Sequence, residues 1–242
     1  MIDLHSHILP DLDDGAESFQ ESIEMARMAV DSGVNVMVAT PHCSSYRGNE
    51  VRDKVLIFRD MLEDLDIPLK VCMGMEIFAT DETLSLLKEK KLYTLNNSRY
   101  PLVEFSFDSD GIDETYLLKE LVFGGYTPLV AHPERYGFVM EDPQIINKWA
   151  KMGCLFQINK GSLLGRFGIA IQRMAVSLLN RGFASVIASD AHSAKYRTPW
   201  MKDAEELIIK GFGSEAADLL LYQNPKKILR NEKITGNTPV WY

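Results

Sequence analysis

The chain has 242 residues, 46% apolar and 25% charged, the composition of a globular domain with a large core. A net charge of −8 with no basic block argues against a nucleic-acid partner, and no run of 18 apolar residues offers a membrane span. The opening MIDLHSH lacks the basic start and apolar stretch of a signal peptide, so a cytoplasmic location is expected.

In chain order, apolar runs alternate with helical stretches. MIDLHSH (1–7) is followed by Ser18-Phe19-Gln20-Glu21, a capping box that opens a helix stopped at Gly33. NVMVATPH (35–42) precedes a helix over 49–65, and LKVCMGMEI (69–77) precedes a short helix and a polar turn around Asn96-Asn97. YPLVEFS (100–106) leads to a helix from Asp113 to Phe123 that ends at Gly124. TPLVAHPE (127–134) leads to one from Asp142-Pro143 to Gly153, and CLFQINKG (154–161) to one over 166–181. FASVIASDAH (183–192) comes last, before helices over 199–210 and about 214–230. The runs are rich in Val, Ile, Leu or Phe, as strands buried on both faces should be. Seven strand–helix alternations predict parallel strands with right-handed crossovers in one α/β domain. A closed or nearly closed barrel is expected, with an open doubly wound sheet as the alternative.

The five histidines, His5, His7, His42, His132 and His192, all fall at the C-terminal ends of predicted strands, where a barrel carries its active site. Glu76, Glu104 and Asp190 fall at the same place on other strands. A single such histidine is more often structural; five of five are not. Residues i and i+2 on a strand face the same way, so His5 and His7 converge, as do Asp190 and His192. Imidazole with carboxylate suits divalent Mn, Fe or Zn. Asp13 and Asp14 follow HSH in a loop that would ordinarily be a solvated turn; beside a metal cluster one of them becomes a candidate ligand.

Residues 40–47, TPHCSSYR, raise a rival chemistry, with Cys43 as thiolate nucleophile and Arg47 as phosphate clamp. A cysteine-phosphatase loop needs a longer spacing than the three residues between them. Cys72 and Cys154 have no suitably placed arginine either. The three cysteines are also too scattered for a disulfide framework or structural zinc site. His42 is therefore read as the working residue and Cys43 as its neighbour.

Taken in order, MIDLHSH, ATPH, GMEI, VEF, AHPER and ASDAH resemble the PHP (polymerase and histidinol phosphatase) superfamily. HSHILPDLDDGA, AHPER and QINKGSLLG (157–165) make the chain most similar to its bacterial metal-dependent protein-tyrosine phosphatases of capsule and exopolysaccharide loci. The resemblance implies a distorted seven-stranded (β/α) barrel of TIM type and up to three metal ions, usually manganese. It places His5, His7, Glu76 and Asp190 on the first ion, and Glu76, Glu104 and His132 on the second. Asp14, His42 and His192 fall on the third, with Asp13 as the alternative to Asp14. Many superfamily members have a histidine where this chain has Glu104, a departure that favours Mn²⁺ over Zn²⁺. Arg135 and Arg197, otherwise readable as surface salt-bridge partners, match the phosphate-binding arginines. The implied reaction is attack of metal-activated water on a phosphotyrosine ester. The implied substrate is the tyrosine-rich tail of a bacterial tyrosine kinase that controls polysaccharide export. The rivals are a small-molecule phosphatase of histidinol-phosphatase type and a non-catalytic metal-binding partner of the kinase.

Overall fold

The structure, a computed structural model, describes residues 1–43 and 48–234; Arg47 lies outside them. Nine strands are present among the described residues: β1 Ile2–Ser6, β2 Val36–Ala39, β3 His42–Cys43, β4 Lys70–Met73, β5 Glu76–Phe78, β6 Leu102–Glu104, β7 Leu129–Ala131, β8 Leu155–Asn159 and β9 Ala184–Ala188. They form two sheets, β1-β2-β4 and β3-β5-β6-β7-β8-β9, and every pairing is parallel.

The seven apolar runs give nine strands because two of them break. The run 35–42 divides into β2 and β3 at Thr40-Pro41, where proline has no N–H to give the ladder. The run 69–77 divides into β4 and β5 at Gly74-Met75. Gly74 sits so close to β2 and to the 3₁₀ turn at Leu95–Asn97 that a Cβ would lie 2.9 Å from Val38 Cγ1 and 3.1 Å from Leu95 Cδ2. Pairing resumes beyond both breaks: the Glu76 N–H donates to the Pro41 carbonyl, and His42 stands opposite Glu76 in register. His42 and Glu76 thus begin strands instead of ending them, and the breaks place both on one level.

The two ends of the strand order meet. His7 N–H donates to Ala191 O, Asp190 N–H donates to His5 O, and Ser6 bridges Ala191 in parallel. Leu4, Val38, Cys72, Leu102, Leu129 and Val186, from six different strands, share one buried apolar cluster, so the strands curve round a common interior. A larger cluster lies between strands and helices and takes in Cys43, Val103, Val130 and Ile158.

The helices are α1 Phe19–Asp31, α2 Gly48–Asp64, α3 Thr83–Lys88, α4 Ile112–Phe123, α5 Gly137–Glu141, α6 Gln144–Lys151, α7 Lys160–Leu163, α8 Ile169–Asn180, α9 Lys202–Phe212, α10 Ser214–Asp218 and α11 Asn224–Leu229. α5 and α7 are too short to show a helical period in sequence. The expected helix over 214–230 is interrupted by a π turn at Leu219–Gln223. The capping box at α1 forms by half. Ser18 Oγ accepts the Glu21 N–H, but the Glu21 carboxylate takes the N–H groups of Glu17 and Ala194. It thereby ties α1 to the loop after β9.

Among the described residues, no helix is long and apolar enough to cross a membrane. Gly74→Ala should lower the unfolding free energy by about 1–3 kcal/mol, the usual cost of overpacking a filled interior. Urea denaturation measures it, and a wild-type midpoint would contradict the tight approach.

Candidate metal centre

The sequence-predicted donors come together at one end of the strands. Glu76 lies at the centre, with no exposed side-chain surface. Its Oε1 is 2.8 Å from His132 Nε2. Its Oε2 is 3.0 Å from His5 Nε2, 3.2 Å from His7 Nε2 and 3.1 Å from His42 Nδ1.

The tautomers of the first two histidines follow from their outer partners. Gln157 donates through Nε2 to Asn159 Oδ1, so its Oε1 accepts from His5 Nδ1–H at 2.9 Å. His7 donates Nδ1–H to Asp13 Oδ2 at 2.6 Å. Both Nε2 lone pairs therefore face inward, 3.2 Å apart, beside Glu76 Oε2 and Asp190 Oδ1. Four electron-rich atoms so arranged are stable only around positive charge, a shared proton or a divalent ion.

The two loop aspartates take different places. Asp13 accepts the N–H groups of His42 and Gly15 as well as the His7 imidazole, and so orients ligand candidates from behind. Asp14 points to the other side, 3.6 Å from His42 Nε2 and 3.4 Å from His192 Nε2. His192 donates Nδ1–H to the Asp190 carbonyl, which turns its Nε2 toward Asp14.

Three groups each bring one donor atom per residue within 4.8 Å of one another: His5, His7, Glu76 and Asp190; His7, Asp14, His42 and His192; and His42, Glu76 and Glu104. The first is the set expected for one ion. The second is the expected Asp14, His42 and His192 with His7 added. The third pairs Glu76 and Glu104 with His42 where His132 was expected; His42 Nδ1 is 2.5 Å from Glu104 Oε1, while His132 meets the other oxygen of Glu76. Among the described residues, Glu76 Oε2, Asp190 Oδ1, His132 Nδ1 and His192 Nε2 are buried with no aligned hydrogen bond. Buried polar atoms of this kind, all nitrogen or carboxylate oxygen, fit hard to borderline divalent ions.

Two of these residues hold unusual backbone. His132 has φ 34° just after β7, and Asp190 has φ 50° just after β9. Non-glycine residues there cost of order 1 kcal/mol, and such strain concentrates at functional sites. Arg135 lies in the short 3₁₀ turn Pro133–Arg135 that follows His132. Its Nη1 donates to Asp190 Oδ2 at 3.2 Å, and Arg197 Nη2 reaches the same oxygen.

Burial alone would lower the basicity of His5, His7 and His42, but carboxylates reverse it: Glu76 and Asp190 at His5, Asp13, Asp190 and Glu76 at His7, Glu104 and Glu76 at His42. All three pKa values are raised, His7 the furthest. Burial also opposes ionisation of Glu76 and Asp190, yet the imidazoles, with Arg197 at Asp190, hold both far below the usual carboxylate range. His192 goes the other way, lowered by burial.

The cysteines stand outside this arrangement. Cys43 is buried in the apolar core. Burial pushes the Cys154 thiol up to about 12 and raises that of Cys72. None of the three is in a disulfide. Asp13, Gln157 and Asn159 are site residues that the sequence reading did not assign to these roles. Gln157 and Asn159 are polar i, i+2 neighbours at the end of an apolar strand, the same signal that marked His5 and His7.

Residues 1–230 match the family described as capsular polysaccharide synthesis, CpsB/CapC. The chain is 37% identical to the tyrosine-protein phosphatase YwqE of Bacillus subtilis, an alignment covering 99% of this chain and 95% of the relative. It is 32% identical to the tyrosine-protein phosphatase CpsB of Streptococcus pneumoniae, covering 97% and 100%. Among solved structures, one from work on those two proteins, described as unique metal-dependent tyrosine phosphatases, superposes with a TM-score of 0.93 at 36% identity, covering 99% of this chain and 98% of that one. The histidinol phosphate phosphatase of Lactococcus lactis shares the fold, with a TM-score of 0.56 at 14% identity, covering 87% and 93%.

A pH dependence follows from the shifts. His5, His7 and His42 have folded pKa values above the unfolded one. In metal-free protein the stability they add is complete below about pH 6.5 and fades as pH rises through the raised values. His192, alone in the opposite sense, opposes them. A divalent ion must displace these protons, so its binding strengthens as pH rises. The expected outcome is a gain in Tm on metal addition that grows between about pH 6 and pH 8, with proton release seen by calorimetry in buffers of different ionisation enthalpy. A pH-independent gain would contradict these assignments.

Proposed function

The chain belongs to the CpsB/CapC family of capsular polysaccharide synthesis, and from that premise we propose that it is a metal-dependent protein-tyrosine phosphatase. The observation that carries this reading is the junction of three donor groups, two sharing Glu76 and the third joined to them through His7 and His42, with two arginines on Asp190. His5, His7, Glu76 and Asp190 would hold one ion; Glu76 and Glu104, with His132 and His42 beside them, a second; Asp14, His42 and His192 a third. Manganese is the metal proposed, with iron or zinc as alternatives, since carboxylates supply much of the donor set. We read the two sheets as a distorted seven-stranded barrel and the chain as one catalytic domain.

Divalent ions bound there would lower the pKa of a water and neutralise phosphoryl oxygens. Asp13, Gln157 and Asn159 keep the ligand candidates oriented before substrate arrives. Arg135 and Arg197 present guanidinium forks, whose geometry suits phosphate oxygens. A phenol, with pKa about 10, leaves more readily than an alkoxide, which reduces the need for a strong general acid.

The mouth is open: the side chains of Asp14 and His42 are 68% and 36% exposed. That favours a phosphotyrosine on a protein over an enclosed small metabolite. The partner proposed is the tyrosine-rich tail of a bacterial tyrosine kinase, met in the cytoplasm.

Chelator should abolish phosphotyrosine-peptide hydrolysis and Mn²⁺ should restore it, with histidinol phosphate a much poorer substrate. Cys43→Ser should keep most of the activity. Arg135→Ala and Arg197→Ala should each retain metal and lose on the order of ten- to a thousandfold in kcat/KM. Activity that resists chelation and vanishes in Cys43→Ser would overturn the reading, and preference for histidinol phosphate would replace the substrate.

A further inference from the structure

We infer that Phe107 and Phe167 form an aromatic wall beside the arginines that selects aryl over alkyl phosphate monoesters. The inference rests on the phosphatase reading and extends it to the group bonded to the phosphate.

Both rings converge on one guanidinium. Arg135 Cζ lies 4.8 Å from the Phe107 ring centroid and 4.6 Å from that of Phe167, and Arg197 Cζ lies 5.9 Å from Phe167. Phe107 also stacks on His132, with centroids 5.9 Å apart and planes 26° apart. The wall therefore borders the donor cluster on one side and the arginines on the other.

Neither ring is a buried core residue, although one side of Phe107 rests on buried Tyr136 with centroids 5.6 Å apart. Phe107 is 43% exposed, whereas Phe105, two residues before it, is buried. Phe167 is partly exposed in the loop between α7 and α8. That loop is fastened to the segment bearing Arg197, because Arg166 Nη1 donates to the Tyr196 carbonyl at 2.9 Å. Phe167 is also seated: a Cβ at Gly161 would lie 2.9 Å from its Cε2 and 3.2 Å from its Cζ. A side chain at 161 would displace the ring.

The chemistry identifies what such a wall meets. With its phosphoryl oxygens held by the arginines, a monoester projects its organic group past the guanidinium ends, into the space that Phe107 and Phe167 border. A phenyl ring bonded through one oxygen reaches them and gains edge or offset-stacked contact. A serine or glycerol carbon chain is shorter and has no ring face to offer. The rings also hold Arg135 by cation–π attraction, but that effect serves every phosphate alike. Of the two effects of the rings, only direct contact separates aryl from alkyl esters.

The test uses the metal-loaded full chain and two non-hydrolysable probes, phenylphosphonate and methylphosphonate, as competitive inhibitors of p-nitrophenyl phosphate hydrolysis. Leaving-group reactivity is then absent from the comparison. The wild type should prefer phenylphosphonate, and Phe107→Leu and Phe167→Leu should each reduce the ratio of the two inhibition constants by about two- to tenfold, the scale of one aromatic pair. Gly161→Ala should lower the same ratio with both rings still present. Ratios at the wild-type value in all three variants would overturn the inference. So would equal weakening of both inhibitors, which would assign the rings to arginine positioning alone. A wild type that hydrolyses no phosphate ester would remove the phosphatase reading itself, a result distinct from a phosphatase with an unchanged ratio.

Discussion

A carboxylate without solvent, Glu76, governs this end of the molecule. Removing an isolated carboxylate from water costs several kcal/mol unless positive charge or aligned donors replace the solvent. Around Glu76 stand four imidazoles, from His5, His7, His42 and His132, all within 3.2 Å of its two oxygens, and protons or divalent ions held between them supply that charge. Their other nitrogens are spoken for at His5 and His7, by Gln157 and Asp13, so the inward lone pairs are fixed. The breaks at Pro41 and Gly74 then have a purpose. They let β3 and β5 restart side by side, which sets His42 opposite Glu76 at the level of the HxH pair. The left-handed turns at His132 and Asp190 bring that imidazole and one further carboxylate to the same point.

From that centre the polarity changes in steps toward solvent. Asp190 is almost fully buried and shares one oxygen among Asn159, Arg135 and Arg197. The two arginines are only partly covered, and beyond them lie Phe107, Phe167 and the exposed carboxylate of Asp14. The carboxylates of Glu76 and Asp190 lie deepest and the guanidinium groups outside them, with Asp14 the exposed acid at the rim. A dianion approaching from solvent thus meets cationic and aromatic groups before any buried carboxylate, although the chain as a whole is acidic.

Much of this was legible in the sequence, and the reason is geometric. Strands buried on both faces must be continuously apolar, so a histidine or acid at the end of such a run is conspicuous, and the i, i+2 rule predicts that His5 and His7 converge. Asp14 and Asp13 could not be separated in that way. Both follow the same strand, and only the folded loop shows one behind His7 and the other beside His192. The approach of His42 to Glu104, in addition to His132 at Glu76, has the same origin, since it depends on where β3 restarts after Pro41. Phe107 and Phe167 carry no sequence mark at all. They are sixty residues apart and look like any apolar residue until the fold sets both against Arg135.

The central claim is that Glu76 is the common member of a multinuclear metal cluster. The most direct measurement is anomalous X-ray scattering at the manganese edge from crystals of the Mn²⁺-loaded protein. The account predicts at least two peaks, both within bonding distance of the Glu76 carboxylate, with His5 and His7 on one and Glu104 on the other. Peaks confined to surface carboxylates, or a single ion that leaves Glu76 paired only with protonated imidazoles, would contradict it.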